Sequence, residues 1–455
     1  MGTVASAPRS LGLDFGTTNT VLSWAAPRSA RSVDGAFATP LAEPVVFHFL
    51  TSLLFAFRSA LCFWDEGDET HPQVVAEAGP WAIQAFLERA SDCRFIQSLK
   101  SFAASRLFET TGIYGRAYRF EDLFAAFFRQ VRAHASPQLD ALPRDVIVGR
   151  PVAYAGSRPD PALAMKRYEA ALAPFGFERI RQVYEPVAAA FFYAQSLEES
   201  ATVLVADFGG GTTDYSVIAF ERHAAGLRAK ALGHAGVGVA GDRFDYRIID
   251  HVILPQLGKG TTYRSMGKRL ELPRSCFASF ASWHELSVMK TSRAFRELKE
   301  VATFSDAPEL VGRFVSLVES DQGYPLYKAV SEAKEALSRD EATRFSFQGR
   351  GVSIESTIRR ADFEAWIEPE LEAIEAALDE ALANASVGER DIDRVFLTGG
   401  SSFVPAVRRI FERRFGADRI DAGNEFVSIA NGLATIALRE DVDAWVLNPE
   451  PAGTR

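Results

Sequence analysis

The sequence predicts an α/β protein with two related lobes, each lending one β-hairpin to a shared ligand. Residues 11–24 read LGLDFGTTNTVLSW and residues 203–220 read VLVADFGGGTTDYSVIAF. Each is an apolar run ending in Asp-Phe-Gly, then a Gly/Thr turn, then a second β-rich run, as a hairpin requires. Strand-like and helix-like segments follow one another between and after the copies. The 455 residues leave room for roughly two to four domains.

The elements follow in order. The spacing of Phe120, Leu123, Phe124, Phe127, Phe128 and Val131 predicts a helix over 117–135. DVIVGRPV at 145–152 reads as a buried strand, 160–175 as a helix and 178–184 as a strand. Glu185-Pro186 opens an Ala-rich helix, with Pro at the first helical position. After the second hairpin, 226–233 reads as a strand and 242–254 as a helix. Residues 258–320 read as irregular and mixed, helical near 284–300, in the manner of an inserted small domain. Helices are expected at 326–338 and 362–385. VFLTGG at 395–400 reads as a strand, SSFVPAVRRIFERRF as the helix after it, and 426–438 as a last helix. The expected organisation is a first lobe over 1–198 and a second over 199–425, with a helical insertion near 242–340. A closing helix and short tail occupy 426–455.

Composition narrows the function. A net charge of −9 argues against nucleic acid as a partner, which needs a basic field. A local Gly-rich turn can still bind one anionic ligand. Cys62, Cys93 and Cys276 are widely spaced and odd in number, which suits a reducing cytoplasm and neither a disulfide framework nor a metal motif. No leader pattern and no apolar run of membrane-spanning length is present. Gly2 to Ser6 fits the loose N-myristoylation pattern, which short tails of small residues also match.

The chemistry sits in the two turns. Asp14 and Asp207 each end an apolar strand, so each carboxylate is held at a strand tip. Gly16 permits a tight turn, and Thr17 and Thr18 add hydroxyl and N–H donors. Gly209, Gly210 and Gly211 let the backbone approach phosphate closely, Thr212 and Thr213 add donors, and Asp214 lies just beyond. Carboxylates facing a polyphosphate need a cation between them, and Mg²⁺ fits, held by one or two carboxylates with most of its waters kept. A single turn aspartate fits an Asx-turn as well; the duplication favours the ligand reading. There is no P-loop string. Gly236, Gly238 and Gly241 spell G-x-G-x-x-G before a helix, whose N-terminus could donate N–H groups to a phosphate. Gly399 and Gly400 allow close approach at a strand-to-helix corner, and Ser401 or Ser402 can cap the helix.

Together these strings resemble the actin-like ATPase superfamily, and within it the DnaK-type heat-shock chaperones. The two hairpins, the segment Glu185-Pro186-Val187-Ala188-Ala189-Ala190 and the motif Leu397-Thr398-Gly399-Gly400-Ser401 stand in family order. FIQSLKSF at 95–102 resembles the segment carrying the family's catalytic lysine, here Lys100. AGDRFDYRIID at 240–250 and EAKEALS at 332–338 resemble its nucleotide-contacting helices. The short length and the Thr-Thr-Asp after the glycines look most like the YegD-type subgroup, which has no peptide-binding domain. The resemblance implies a two-lobed actin-like ATPase fold with duplicated mixed β-sheet cores and a nucleotide cleft between the lobes. It implies ATP/ADP and Mg²⁺ as cofactors. Asp14 and Asp207 would hold the metal through waters, and Thr17, Thr18, Gly209, Gly210, Gly211 and Thr212 would surround the phosphates. Lys100, Glu185, Asp214 and Thr212 would serve catalysis. Gly241, Lys334, Ser338, Gly399, Gly400, Ser401 and Phe403 would contact the nucleotide. Where the family has two adenine-sandwiching arginines, this chain has Glu335 and Phe403.

The first functional expectation is a slow ATPase acting as a chaperone-like conformational switch in the cytoplasm, with an unidentified protein client or co-chaperone. A small-molecule kinase and a filament-forming relative of the bacterial shape proteins are the alternatives on the same fold.

Overall fold

The computed structural model describes residues 10–26, 41–67, 71, 73–89, 92–155, 158–223, 226–281, 286, 289–422 and 427–447. The Gly2–Ser6 acylation pattern and parts of 284–300 and 426–438 lie outside these residues. The chain divides into two units. One comprises 1–239, 374–402 and 408–455, the other 240–373 and 403–407.

The first unit holds both hairpins, and the sheets built on them share one topology. The first sheet uses β1 (Ser10–Phe15), β2 (Asn19–Ala26), β3 (Leu41–Pro44), β4 (Asp145–Arg150) and β5 (Arg179–Tyr184), in the order β5-β4-β1-β2-β3. A short strand, Phe57–Arg58, also pairs with β2. The second uses β6 (Ala201–Phe208), β7 (Thr213–His223), β8 (Gly226–Val237), β9 (Arg394–Thr398) and β10 (Ile420–Ala422), in the order β8-β7-β6-β9-β10. In each, the hairpin is antiparallel and its first strand takes a parallel neighbour on the other side, β4 beside β1 and β9 beside β6. That first strand is therefore central, and its apolar run (Leu11, Leu13, Phe15; Val203, Leu204, Val205, Ala206, Phe208) is buried. The echo in the sequence is thus an echo in topology.

A helix follows the fifth strand of each sheet, Glu185–Tyr193 after β5 and Ser428–Ile436 after β10. The two pack together with Val183, Val203, Val205 and Ile218 as one apolar cluster. Their approach is close enough to demand glycine: a Cβ on Gly432 would lie 1.8 Å from the Ala188 carbonyl oxygen. The first of these helices starts at Glu185 itself, so Pro186 is its second residue, one place later than the sequence suggests. Its missing N–H is still among the first-turn donors that have no intrahelical acceptor.

Most other elements fall where the spacing puts them, including helices Phe120–His134 and Pro161–Leu172. The first part of this unit also holds a three-stranded sheet of Val74–Ala78, Ala60–Asp65 and Cys93–Gln97, flanked by the helix Gly79–Arg89, and the short hairpins Phe47–Phe49/Ser52–Leu54 and Thr111–Ile113/Arg116–Tyr118.

The second unit opens with the helix Gly241–Ile248, which widens into a π-helical turn through Ile253. The stretch read as irregular is more ordered than expected. It contains the hairpin Thr262–Ser265/Lys268–Glu271 and two helices, Arg293–Ala302 and Pro308–Glu319. The second of these buries Val311, Phe314, Leu317 and Val318, a helical spacing cut short by turns at both ends. After the helix Gly323–Arg339 comes another unanticipated hairpin, Ala342–Gly349/Val352–Arg359, with Phe345, Phe347, Ile354 and Ile358 buried on one face. The helix expected over 362–385 is broken into Arg360–Trp366 and Glu368–Ala385, with Pro369 in the first turn of the second piece.

Candidate functional site

The two hairpin turns close identically. The Gly16 N–H donates to the Asn19 carbonyl at 3.0 Å, and the Gly209 N–H to that of Thr212 at 2.9 Å. A Cβ on Gly16 would lie 2.3 Å from the Asn19 oxygen, so this turn needs its glycine. Ser59 braces the first turn. Its hydroxyl donates to Gly16 O at 2.7 Å and pairs with the Thr20 hydroxyl at 2.9 Å, while its N–H donates to Thr18 O at 2.9 Å. The turns meet: a Cβ on Gly211 would be 3.6 Å from the Thr17 hydroxyl.

Acidic groups gather behind them. Asp207 and Asp214 are cross-strand partners in the second hairpin, both buried, and Asp14 is half-buried at the tip of β1. Asp214 Oδ1 accepts from the N–H groups of Val152 and Ala153 at 2.7 and 2.9 Å. Its Oδ2 is buried and accepts no hydrogen bond. Gly236 faces it across the sheet; a Cβ there would lie 2.5 Å from Oδ1.

Lys100 reaches the same place by a sharp bend. The strand Cys93–Gln97 ends at Ser98, which takes the left-handed conformation (φ 56°), and the 3₁₀ turn Leu99–Phe102 follows. Leu99 is buried and pins the turn. The Lys100 ammonium donates to Glu185 Oε1 at 2.6 Å, with both side chains buried. Glu185 begins its helix, where the N-terminal dipole favours a carboxylate.

Four carboxylates thus share one lysine, and the proton affinities of the three aspartates reflect it. Burial first, then Glu185, pushes Asp14 up to about 7 against the opposing pull of Lys100. Burial and Glu185 likewise raise Asp214 to about 7, and the Ala153 N–H, the Thr212 hydroxyl and Lys100 oppose them. Asp207 is raised well above the carboxylate range by burial, Glu185, Asp14 and Asp214. Burial alone would depress Lys100, but Glu185 and Asp14 outweigh it and hold the ammonium above its usual value. Such a cluster is short of positive charge. That deficit and the unpartnered Asp214 Oδ2 both fit a hydrated divalent cation. Among the described residues no three His, Cys, Asp or Glu side chains are disposed to hold a bare ion; two aspartates acting through waters need no such group.

Other groups here gave no functional signal in the sequence. The Tyr154 hydroxyl is buried without a partner, and the Arg150 guanidinium lies over the Tyr154 and Tyr184 rings at 5.6 and 5.1 Å. Ser59 and Tyr154 belong to no string that stands out in one sequence, and Arg150 stands out only as part of the buried strand DVIVGRPV. Only the fold brings them to the hairpins.

Gly399 adjoins the second hairpin. It takes φ 85°, and a Cβ on it would sit 2.1 Å from the Phe208 carbonyl. Gly400–Phe403 forms a 3₁₀ turn with Ser401 and Ser402 buried. The Ser402 hydroxyl donates back to Gly399 O at 2.6 Å. In the second unit, Lys334 and Gly241 are brought together. Lys334 Nζ lies 2.8 Å from Asp245 Oδ1 and donates to Gly241 O at 3.2 Å. Asp245, part of AGDRFDYRIID but given no role there, is raised by burial and lowered by Lys334. The Ser338 hydroxyl donates to Lys334 O at 3.3 Å. Glu335 pairs with Arg339 at 3.1 Å, and Phe403 is 50% exposed.

Comparison with known proteins adds a family. The family described as "Hsp70 protein" matches residues 104–262 and 320–442, more than half of the chain. Asp14 and Lys100 precede the matched segments; Glu185, Asp207, Asp214, Lys334 and Gly400 fall inside them. The chain is 24% identical over 453 residues to chaperone protein DnaK of Deinococcus deserti, covering 94% of this chain and 59% of that protein. It is 23% identical over 429 residues to chaperone protein DnaK of Thermosipho africanus, covering 93% and 58%. Against the chloroplastic stromal 70 kDa heat shock-related protein of Pisum sativum, identity is 25% over 340 residues, covering 73% and 40%. The chain therefore spans less than two thirds of the length of each of these relatives. The duplicated sheets and the family match agree on the two-lobed actin-like ATPase fold. No helix among the described residues is long and apolar enough to cross a membrane.

Proposed function

This chain belongs to the Hsp70 family, and from that premise we propose that it is a Mg²⁺-dependent ATP-binding protein and slow ATPase whose nucleotide state switches its conformation. One observation carries the reading: two glycine turns closed by the same hydrogen bond meet at Thr17 and Gly211, in front of a carboxylate cluster that, among the described residues, shares Lys100. The turns offer N–H and hydroxyl donors of Thr17, Thr18, Gly209, Gly210, Gly211 and Thr212 to the β- and γ-phosphates. Asp14 and Asp207 would hold Mg²⁺ through its waters; when bound, the ion neutralises phosphate charge. Lys100, kept protonated by Glu185, offsets negative charge at the transferring phosphoryl group. Glu185 and Asp214 orient the attacking water, with Asp214 Oδ2 the acceptor still lacking a hydrogen bond. Gly241, Lys334, Ser338, Gly399, Gly400 and Ser401 serve adenosine, with Phe403 as an aromatic face in place of a family arginine. Chaperone-like action on a protein client, with or without a co-chaperone, follows from the family of the relatives, and a cytoplasmic setting suits it.

The test is single-turnover reaction of γ-labelled ATP with the full chain and Mg²⁺. Release of the label as inorganic phosphate, abolished by chelation, is the expected result. Label appearing on an added small-molecule acceptor, with none released as phosphate, would replace the ATPase reading with a kinase.

A further inference from the structure

Cys62 and Cys93, distant in sequence, come together in the three-stranded sheet of the first unit. Cys62 lies in the middle strand, Ala60–Asp65, and Cys93 begins the adjoining antiparallel strand, Cys93–Gln97. The register sets Trp64 opposite Cys93 and Cys62 opposite Phe95. The two cysteines are therefore diagonal neighbours on one face of the sheet. Their thiols are hydrogen-bonded to each other, and that bond, with burial next, pushes the Cys62 thiol up. Cys62 is fully buried, whereas Cys93 is half-buried and lines an open cavity of about 480 Å³ with Asp65, Asp92, Arg94, Ile113 and Tyr114. One thiol is thus open to a small reagent, and the other waits behind it.

The geometry points to a redox-active pair in which Cys93 reacts with a hydroperoxide and Cys62 resolves it to a disulfide. In the first step the Cys93 sulfur attacks the peroxide O–O bond, giving Cys93 sulfenic acid and the corresponding alcohol or water. In the second, the Cys62 sulfur displaces the sulfenic oxygen as water and the S–S bond forms. The two thiols lose two electrons and two protons, and the hydroperoxide takes both. The bridge would fasten the strand Cys93–Gln97 to its neighbour. That strand runs through Ser98 into the turn that carries Lys100, so the oxidised form stiffens the support of the Lys100–Glu185 pair.

The test uses the reduced full chain treated with hydrogen peroxide, then non-reducing digestion and mass spectrometry. The expected product is a peptide pair joined through Cys62 and Cys93, two hydrogens lighter than the separate peptides and released by dithiothreitol. In Cys62→Ala the expected product is Cys93 sulfenic acid, trapped by dimedone; Cys93→Ala should leave Cys62 unlabelled. Hydrogen exchange over 93–102 should slow in oxidised wild type. Peroxide that leaves both thiols unmodified, or that carries Cys93 to the sulfinic acid in wild type without a bridged peptide, overturns the inference. Neither readout depends on ATP turnover.

Discussion

At the residue scale, the site's carboxylates oppose the fold that holds them. Asp214 is buried, and its proton affinity is raised to about 7. A carboxyl raised in the folded state contributes stability below its unfolded value near 4 and loses it as pH climbs through its folded value. Asp214→Asn keeps an oxygen to accept from Val152 and Ala153 but carries no charge. In metal-free solution, variant and wild type should unfold at similar urea concentrations near pH 4. As pH climbs from about 4 to about 7 the wild type should lose stability that the variant keeps, and above that the variant should be the more stable by on the order of a few kcal/mol. A pH-independent gap would contradict the charge argument. Lys100 is the converse case. Its removal leaves Glu185 buried among carboxylates, and breaking such a pair costs about 3–5 kcal/mol. Lys100→Ala should therefore lower stability, and adding Glu185→Gln should restore much of it. In single-turnover hydrolysis, Lys100→Ala should lose about 10²–10³ in rate while ATP affinity stays near normal, since its charge matters most in the transition state. An unchanged rate would reduce Lys100 to a structural role.

At the scale of elements, much was legible, because the features that betray function here are also strong local signals. Asp-Phe-Gly-x-x-x-Thr occurs twice in phase, at Asp14–Thr20 and Asp207–Thr213, and each copy is a hairpin whose turn closes with the same hydrogen bond. The helix Phe120–His134 follows from its apolar spacing alone. What escaped was short or non-local. The helix Pro308–Glu319 carries its apolar spacing, Val311, Phe314, Leu317 and Val318, over only 12 residues between turns. The Ala342–Gly349/Val352–Arg359 hairpin alternates with exposed Thr and Ser that read as loop. Ser59 matters only through partners far along the chain, Gly16 and Thr20. Nor could the sequence show why Gly432 is a glycine, since the reason is the Ala188 carbonyl of another helix. Gly432→Ala should destabilise the first unit by about 1–3 kcal/mol or more through overpacking. Gly112→Ala, with nothing within 4 Å of its Cβ position, should stay within about 0.5 kcal/mol of wild type. Equal urea midpoints for the two variants would overturn the close-packing account of the crossing helices.

At the scale of the whole molecule, the account rests on duplication. Two sheets of one topology each place an aspartate and a glycine turn at the end of a central strand. A polyphosphate with its metal is the ligand that such a pair, with its surplus of carboxylates, suits best. The chain spans about three-fifths of the length of the DnaK proteins it resembles. The direct test is calorimetric titration of the full chain with ATP, with Mg²⁺ and then with chelator, on wild type and Asp207→Asn. The account predicts a single ATP bound per chain with Mg²⁺, sharply weaker binding on chelation, and a weakened metal dependence in Asp207→Asn. ATP bound equally well with and without the metal, and equally by both proteins, would contradict it.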